Sequence, residues 1–171
     1  IDCDDPDCPM CQTFFKDPAH ITLRTGRPDK LEVAGGLIPH AAHDLANEEV
    51  AVLITNANGL VYKGVLYPHD LVQRLATPQI YRFKDPTAKS GVGLRDGIYK
   101  VQTFKMPRDC IVHFKVFAYG NLDAATLPAM TVQVRVGSEM FASKGVWMKT
   151  HTGWKFEFAK GAARLCHQPV P

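Results

Sequence analysis

The sequence predicts an all-β fold, and three of its features carry that prediction. Short segments alternate apolar and polar residues with period two, and turn residues rich in Asn, Gly and Pro separate them. No window longer than about ten residues combines helical apolar spacing with caps at both ends. Period-two alternation turns one row of side chains into a core and the next into water. Many such strands in one chain are expected to form two packed antiparallel sheets, a sandwich.

The elements follow in order. Leu31-Glu32-Val33 leads into Ala34-Gly35-Gly36. Residues 49–55 are rich in Val, Leu and Ile and run into Asn56-Ala57-Asn58-Gly59. Asn and Gly tolerate positive φ, so this tetrad predicts a hairpin with 60–67 as the return strand. Residues 70–75 have room for one helical turn. In 80–84, Tyr81 and Phe83 alternate with Arg82 and Lys84, and beyond a Pro/Gly-rich stretch at 85–93 the pattern resumes over 97–105 with Ile98, Val101 and Phe104. The clearest strand is 111–119, where Val112, Phe114, Val116 and Ala118 alternate with His113, Lys115 and Phe117. In 130–136, Val132, Val134 and Val136 fall on one face and Thr131, Gln133 and Arg135 on the other. Segments 140–148 and 153–158 complete the series.

The strand pattern also repeats. Leu31-x-Val33, Val50-x-Val52, Val61-Tyr62-Lys63-Gly64-Val65-Leu66 and Tyr81-Arg82-Phe83-Lys84 form a first copy. Phe114-x-Val116, Val132-x-Val134, Ser143-Lys144-Gly145-Val146-Trp147-Met148 and Trp154-Lys155-Phe156-Glu157 form a second. The offset stays near 82 through the two Lys-Gly pairs and then falls to 73, so the first copy carries a longer connection around 68–78. Two copies are too few for a solenoid. The expected organisation is a tail at 1–20, a first β unit at 21–95 and a second at 96–171, as two packed sandwiches or one shared core. Each unit supplies four strands.

Composition excludes several classes. With 46% hydrophobic and 22% charged residues, the 171-residue chain is that of an ordinary globular protein. Its net charge of +3 is spread out, without the clustered basic stripe of a nucleic-acid binder. No apolar run approaches the roughly 18 residues of a membrane span. The chain opens on Ile1 rather than Met, which is expected of a processed product or a piece of a longer precursor. Three cysteines, Cys3, Cys8 and Cys11, crowd the beginning, while Cys110 and Cys166 stand far downstream. That distribution points to an oxidising compartment, with a local bridge near the start and room for a long-range Cys110–Cys166 staple. The odd count leaves one thiol free, paired between chains or bound to something else.

The head itself reads Asp2-Cys3-Asp4-Asp5-Pro6-Asp7-Cys8-Pro9-Met10-Cys11. Carboxylates this close repel one another unless they are solvated or bridged by a cation, and calcium suits such alternating oxygen ligands. The string resembles the end of the thrombospondin type 3 calcium repeats, as found in secreted bacterial surface proteins. That resemblance implies calcium contacts from Asp2, Asp4, Asp5 and Asp7 and a Cys3–Cys8 bridge. The remainder resembles the repeated β domains of long bacterial surface proteins, through Leu127-Pro128 ahead of a Val-alternating strand and Gly153-Trp154-Lys155-Phe156. This second resemblance implies an immunoglobulin-like sandwich without catalysis.

Competing chemistries find partial motifs. Cys8-Pro9-Met10-Cys11 has thioredoxin spacing but no βαβ unit after it. With Cys3 and a histidine it would make a loosely spaced zinc site. Haem attachment needs His after the second cysteine, and Gln12 stands there, while Cys166-His167 lacks the first cysteine. His40, His43 and Asp44 could hold a surface metal, and no Gly-x-Ser-x-Gly elbow occurs. Trp147, Trp154 and Tyr81 are candidates for stacking on a sugar, against the alternative of core packing.

The reading that unites these features is a non-catalytic extracellular structural module, the subunit of a bacterial surface filament or adhesin. It would carry a calcium-type N-terminal loop and associate with copies of itself or with neighbouring domains of a longer surface protein. Residues 1–20 and 168–171 are the expected contact segments. The alternatives are a carbohydrate-binding module and a metal- or haem-carrying extracellular protein.

Overall fold

A computed structural model describes residues 13–14, 19–39 and 41–157 of the chain. The strands in chain order are β1 (Thr13–Phe14), β2 (Ala19–Thr22), β3 (Asp29–Leu37), β4 (Val50–Asn56), β5 (Gly59–Leu66), β6 (Val72–Ala76) and β7 (Gln79–Lys84). A 3-10 helix at Pro86–Ser90 separates these from β8 (Ile98–Lys105), β9 (Val112–Gly120), β10 (Ala129–Val136), β11 (Glu139–Val146), β12 (Met148–Lys149) and β13 (Gly153–Phe156). The larger sheet runs β12-β13-β2-β3-β9-β8-β7-β6, with β1 paired to the end of β3. The smaller runs β11-β10-β4-β5. Every pairing is antiparallel, and the two sheets enclose one core as a β-sandwich.

The sequence repeat has a direct counterpart in this topology. Replacing each strand from β2 to β7 by the one six later reproduces both strand orders in reverse. The centres of the two sheets are therefore pairs of equivalent strands, β3 with β9 and β4 with β10. Val33 faces Val116 across the first pair, and Val52 faces Val134 across the second. All four valines are buried. A pseudo-two-fold axis thus passes through the middle of the core, and each sheet draws strands from both halves of the chain.

The repeated Lys-Gly pair has a steric origin. A methyl group on Gly64 would strike Ile98 of β8 and the Tyr62 hydroxyl, and one on Gly145 would strike the Phe156 ring of β13. Each glycine lets a side chain of the facing sheet rest on its backbone.

Turn chemistry follows the residues. In the β4–β5 hairpin Asn56 accepts a 2.9 Å bond from the Asn58 amide, and Gly59 takes φ 119°. The Pro/Gly-rich stretch becomes the 3-10 helix, capped by Asp85, which accepts from the amides of Thr87 (2.9 Å) and Leu94 (2.7 Å). The Thr87 bonds, then the Leu94 amide, hold the buried Asp85 carboxyl below its usual range against the opposing effect of burial.

One local expectation is corrected. Residues 70–75 are not a helical turn: 68–70 form a tight turn and the chain then extends into β6. Asp70 closes that turn by accepting from the Tyr67 amide at 2.8 Å and pairs with Arg95, while β6 finds its hydrogen bonds on β7.

Candidate functional site

Two features of the sandwich are candidates for function: a cavity between the sheets and the exposed edge of the larger sheet. The cavity encloses about 180 Å³. Cross-strand registers build its wall on the larger sheet in three rows. The first contributes Val101 and Val116 to the lining, flanked in register by Phe83 and Val33; the next contributes Tyr81, Thr103 and Phe114, with Gly35 beside them in register. Gln79 and Lys105 pair in the outermost row, beside Val112 and Leu37. The smaller sheet closes the other side with Val50, Val52, Val134, Val136 and Phe141.

Polar groups are few in this lining, and their order matters. Val101, Thr103 and Lys105 succeed one another on the inward face of β8, from depth to mouth. Thr103 is only 7% exposed, and among the described residues its hydroxyl has no hydrogen-bond partner. Lys105 is half-buried and has no ion-pair partner among them either.

The equivalent rows in the other half are filled differently. Trp154, Ile21, Leu31 and Ala118 stand where Tyr81, Thr103, Phe114 and Gly35 stand. One step further out, Leu23 packs on the core where the cavity half has Lys105. Trp154 donates from its indole nitrogen to the Ala125 carbonyl at 2.6 Å, fastening the β9–β10 loop. Tyr81 turns toward Asp44 in the equivalent β3–β4 loop, and burial first, then the Asp44 charge, raises its phenol above the ordinary value.

His43 stands at the cavity rim between two carboxylates. Its Nδ1 lies 2.9 Å from Glu48 and its Nε2 2.6 Å from Glu139, so the ring ties the β3–β4 loop to the β10–β11 hairpin. Burial lowers its pKa, but the bonds to Glu139 and Glu48 outweigh that, and the net shift is upward. With both ring nitrogens engaged by carboxylates, the imidazolium is the favoured form. The metal expectation for His40, His43 and Asp44 finds His40 outside the described residues. Among the described residues no group of three or more His, Cys, Asp or Glu is placed to hold a metal ion.

The second feature is β6. All five of its residues are exposed, including Val72 at 45% and Leu75 at 49%, and it ends the larger sheet. A register shift at Arg74 interrupts its pairing with β7. At the opposite end lies the two-residue β12, whose Met148 is 53% exposed.

The sequence-predicted site residues divide by location. Asp2, Asp4, Asp5, Asp7, Cys3, Cys8 and Cys166 lie outside the described residues. Cys110, in the β8–β9 connection, is disulfide-bonded. Trp147, Trp154 and Tyr81 are 2%, 7% and 5% exposed and belong to the core. Rings so enclosed offer no face for a sugar to stack on, and Trp147 instead packs against Phe156 at 5.7 Å. Thr103 and Lys105 were not among the sequence candidates. Extending the repeat upstream of Leu31 reveals them, because 19–23 (Ala-His-Ile-Thr-Leu) then aligns with 101–105 (Val-Gln-Thr-Phe-Lys).

No protein family, curated protein or solved structure matches this chain.

Proposed function

We propose that this chain is a non-catalytic extracellular structural module, of the immunoglobulin-like kind, that joins its neighbours by strand addition at the ends of its larger sheet. The observation that carries the reading is β6, an edge strand whose apolar Val72 and Leu75 are uncovered. An unpaired edge offers a row of backbone donors and acceptors to another chain. The two ends of the sheet differ, since β6 has five residues and β12 has two. Contacts between unlike ends are heterologous, and they propagate into open fibres unless the rotation between subunits closes them into a ring.

The thrombospondin type 3-like string at 2–8 supports the same reading. Calcium bound by Asp2, Asp4, Asp5 and Asp7, with a Cys3–Cys8 bridge, would stiffen the segment at one contact, and a Cys110–Cys166 staple would secure the other end of the chain. Residues 1–20 and 168–171 contribute to the contacts in this proposal.

Sedimentation velocity and electron microscopy of the full chain test it. Linear oligomers growing with protein concentration, and lost in Leu75→Lys, are the expected result. A monomer at every concentration, with and without calcium, overturns the assembly role.

A further inference from the structure

We infer that the cavity is a binding site for a small amphiphilic carboxylate, with an apolar body of roughly six to eight carbons and its acid group at Thr103 and Lys105. This inference is independent of the assembly reading, because no cavity residue lies on β6.

The size of the ligand follows from the volume. An apolar cavity of about 150 Å³ suffices for benzene, and this one holds about 180 Å³. Valines from four strands and Phe141 supply an apolar end without hydrogen-bonding side chains.

The chemistry of the head follows from Thr103 and Lys105. A hydroxyl nine-tenths buried and without a partner among the described residues is unfavourable. The pseudo-two-fold shows what a packed core puts at that position, namely Ile21, buried at 1%. The cavity half has a hydroxyl in place of the isoleucine ethyl group and an ammonium-bearing chain in place of the Leu23 side chain. Both replacements lie on one strand face, two residues apart, or about 7 Å. A lysine side chain spans that distance, so one carboxylate can accept from both groups. The described carboxylates around the rim, Glu48 and Glu139 on His43 and Asp44 beside Tyr81, are not part of the lining.

Calorimetric titration of the full chain with straight-chain carboxylates from butanoate to decanoate, and with hexanol as the neutral control, tests the proposal. Affinity should rise about fourfold per methylene up to about eight carbons, as expected for apolar burial, and then stop rising. Hexanoate should bind more than tenfold tighter than hexanol, and Lys105→Met should remove that preference while leaving hexanol unchanged. Thr103→Ile should abolish binding of both. Methyl chemical shifts of Val101, Val116 and Val134 in the unsubstituted chain locate the site independently of any variant's folding. The proposal is overturned by the absence of saturable binding at millimolar ligand, by shifts confined to other residues, or by equal affinity for hexanoate and hexanol.

Discussion

The two halves of the sandwich follow one plan and fill it differently. Around Trp154 the interior row is Trp, Ile, Leu and Ala; around Tyr81 the equivalent row is Tyr, Thr, Phe and Gly. The first half closes on an indole tied to Ala125. The second leaves about 180 Å³ open, with Thr103 and Lys105 in its lining. A duplicated fold therefore supplies its own control: one copy shows what packing alone selects, and the departures in the other mark positions where packing was not the dominant requirement. Natural proteins commonly give up stability where function requires a strained or unfilled site.

Three sets of substitutions sharpen that contrast, beginning with the largest effect. Trp154→Ala removes the side chain that fills the packed half and should cost about 4 kcal/mol in urea unfolding. Tyr81→Phe, at the equivalent position, should change stability by less than about 1 kcal/mol because the ring stays in place. Equal losses from the two would erase the distinction between the halves.

Exchange of the β2 and β8 residues comes next. Ile21→Thr places an unpartnered hydroxyl in a packed core and should destabilise by about 2–3 kcal/mol. Thr103→Ile is the mirror change, and it should stabilise by about 1 kcal/mol by filling open space and removing a buried hydroxyl. Chemical denaturation of the pair decides the matter, since the two changes have opposite signs only if the cavity half is under-packed.

The smallest effect concerns His43. Its pKa is raised in the folded chain, so the stability it contributes is fully present below the unfolded value near 6.5 and is lost as pH rises through the folded value. His43→Gln should therefore cost about 2 kcal/mol at pH 6 and less at pH 9. Thermal denaturation across that range measures it, and a loss independent of pH would show that the ring acts by shape rather than charge.

Much of the fold was legible in the residues. The alternations at 111–119 and 130–136 correspond to β9 and β10 because each buries one face, which is the condition under which period two is visible, while the apolar run at 49–55 corresponds to β4, where Ala51 is buried together with Val50, Val52 and Ile54. Strand β6 was not legible because all its residues are exposed and it carries no alternation, and the stretch from Asp70 that leads into it resembles a helical turn. Strand β2 is four residues long, too short for a period to register. The aromatic candidates were misplaced by the same limit: alternation shows that Trp147, Trp154 and Tyr81 lie on strands, but not that a second sheet covers them.

What the sequence determined by itself is the class and the plan: a β protein of two related strand sets, with turns placed by Asn and Gly. These are local properties, set by φ preferences and by the alternation of side chains along a strand. The tertiary structure decided how the sets combine, pairing β3 with β9 and β4 with β10 so that equivalent valines meet at one axis. It also decided that Thr103 and Lys105 face a cavity while Ile21 and Leu23 face a filled core. That difference depends on what the opposite sheet presents, and residues distant in sequence come into contact only once both sheets have formed.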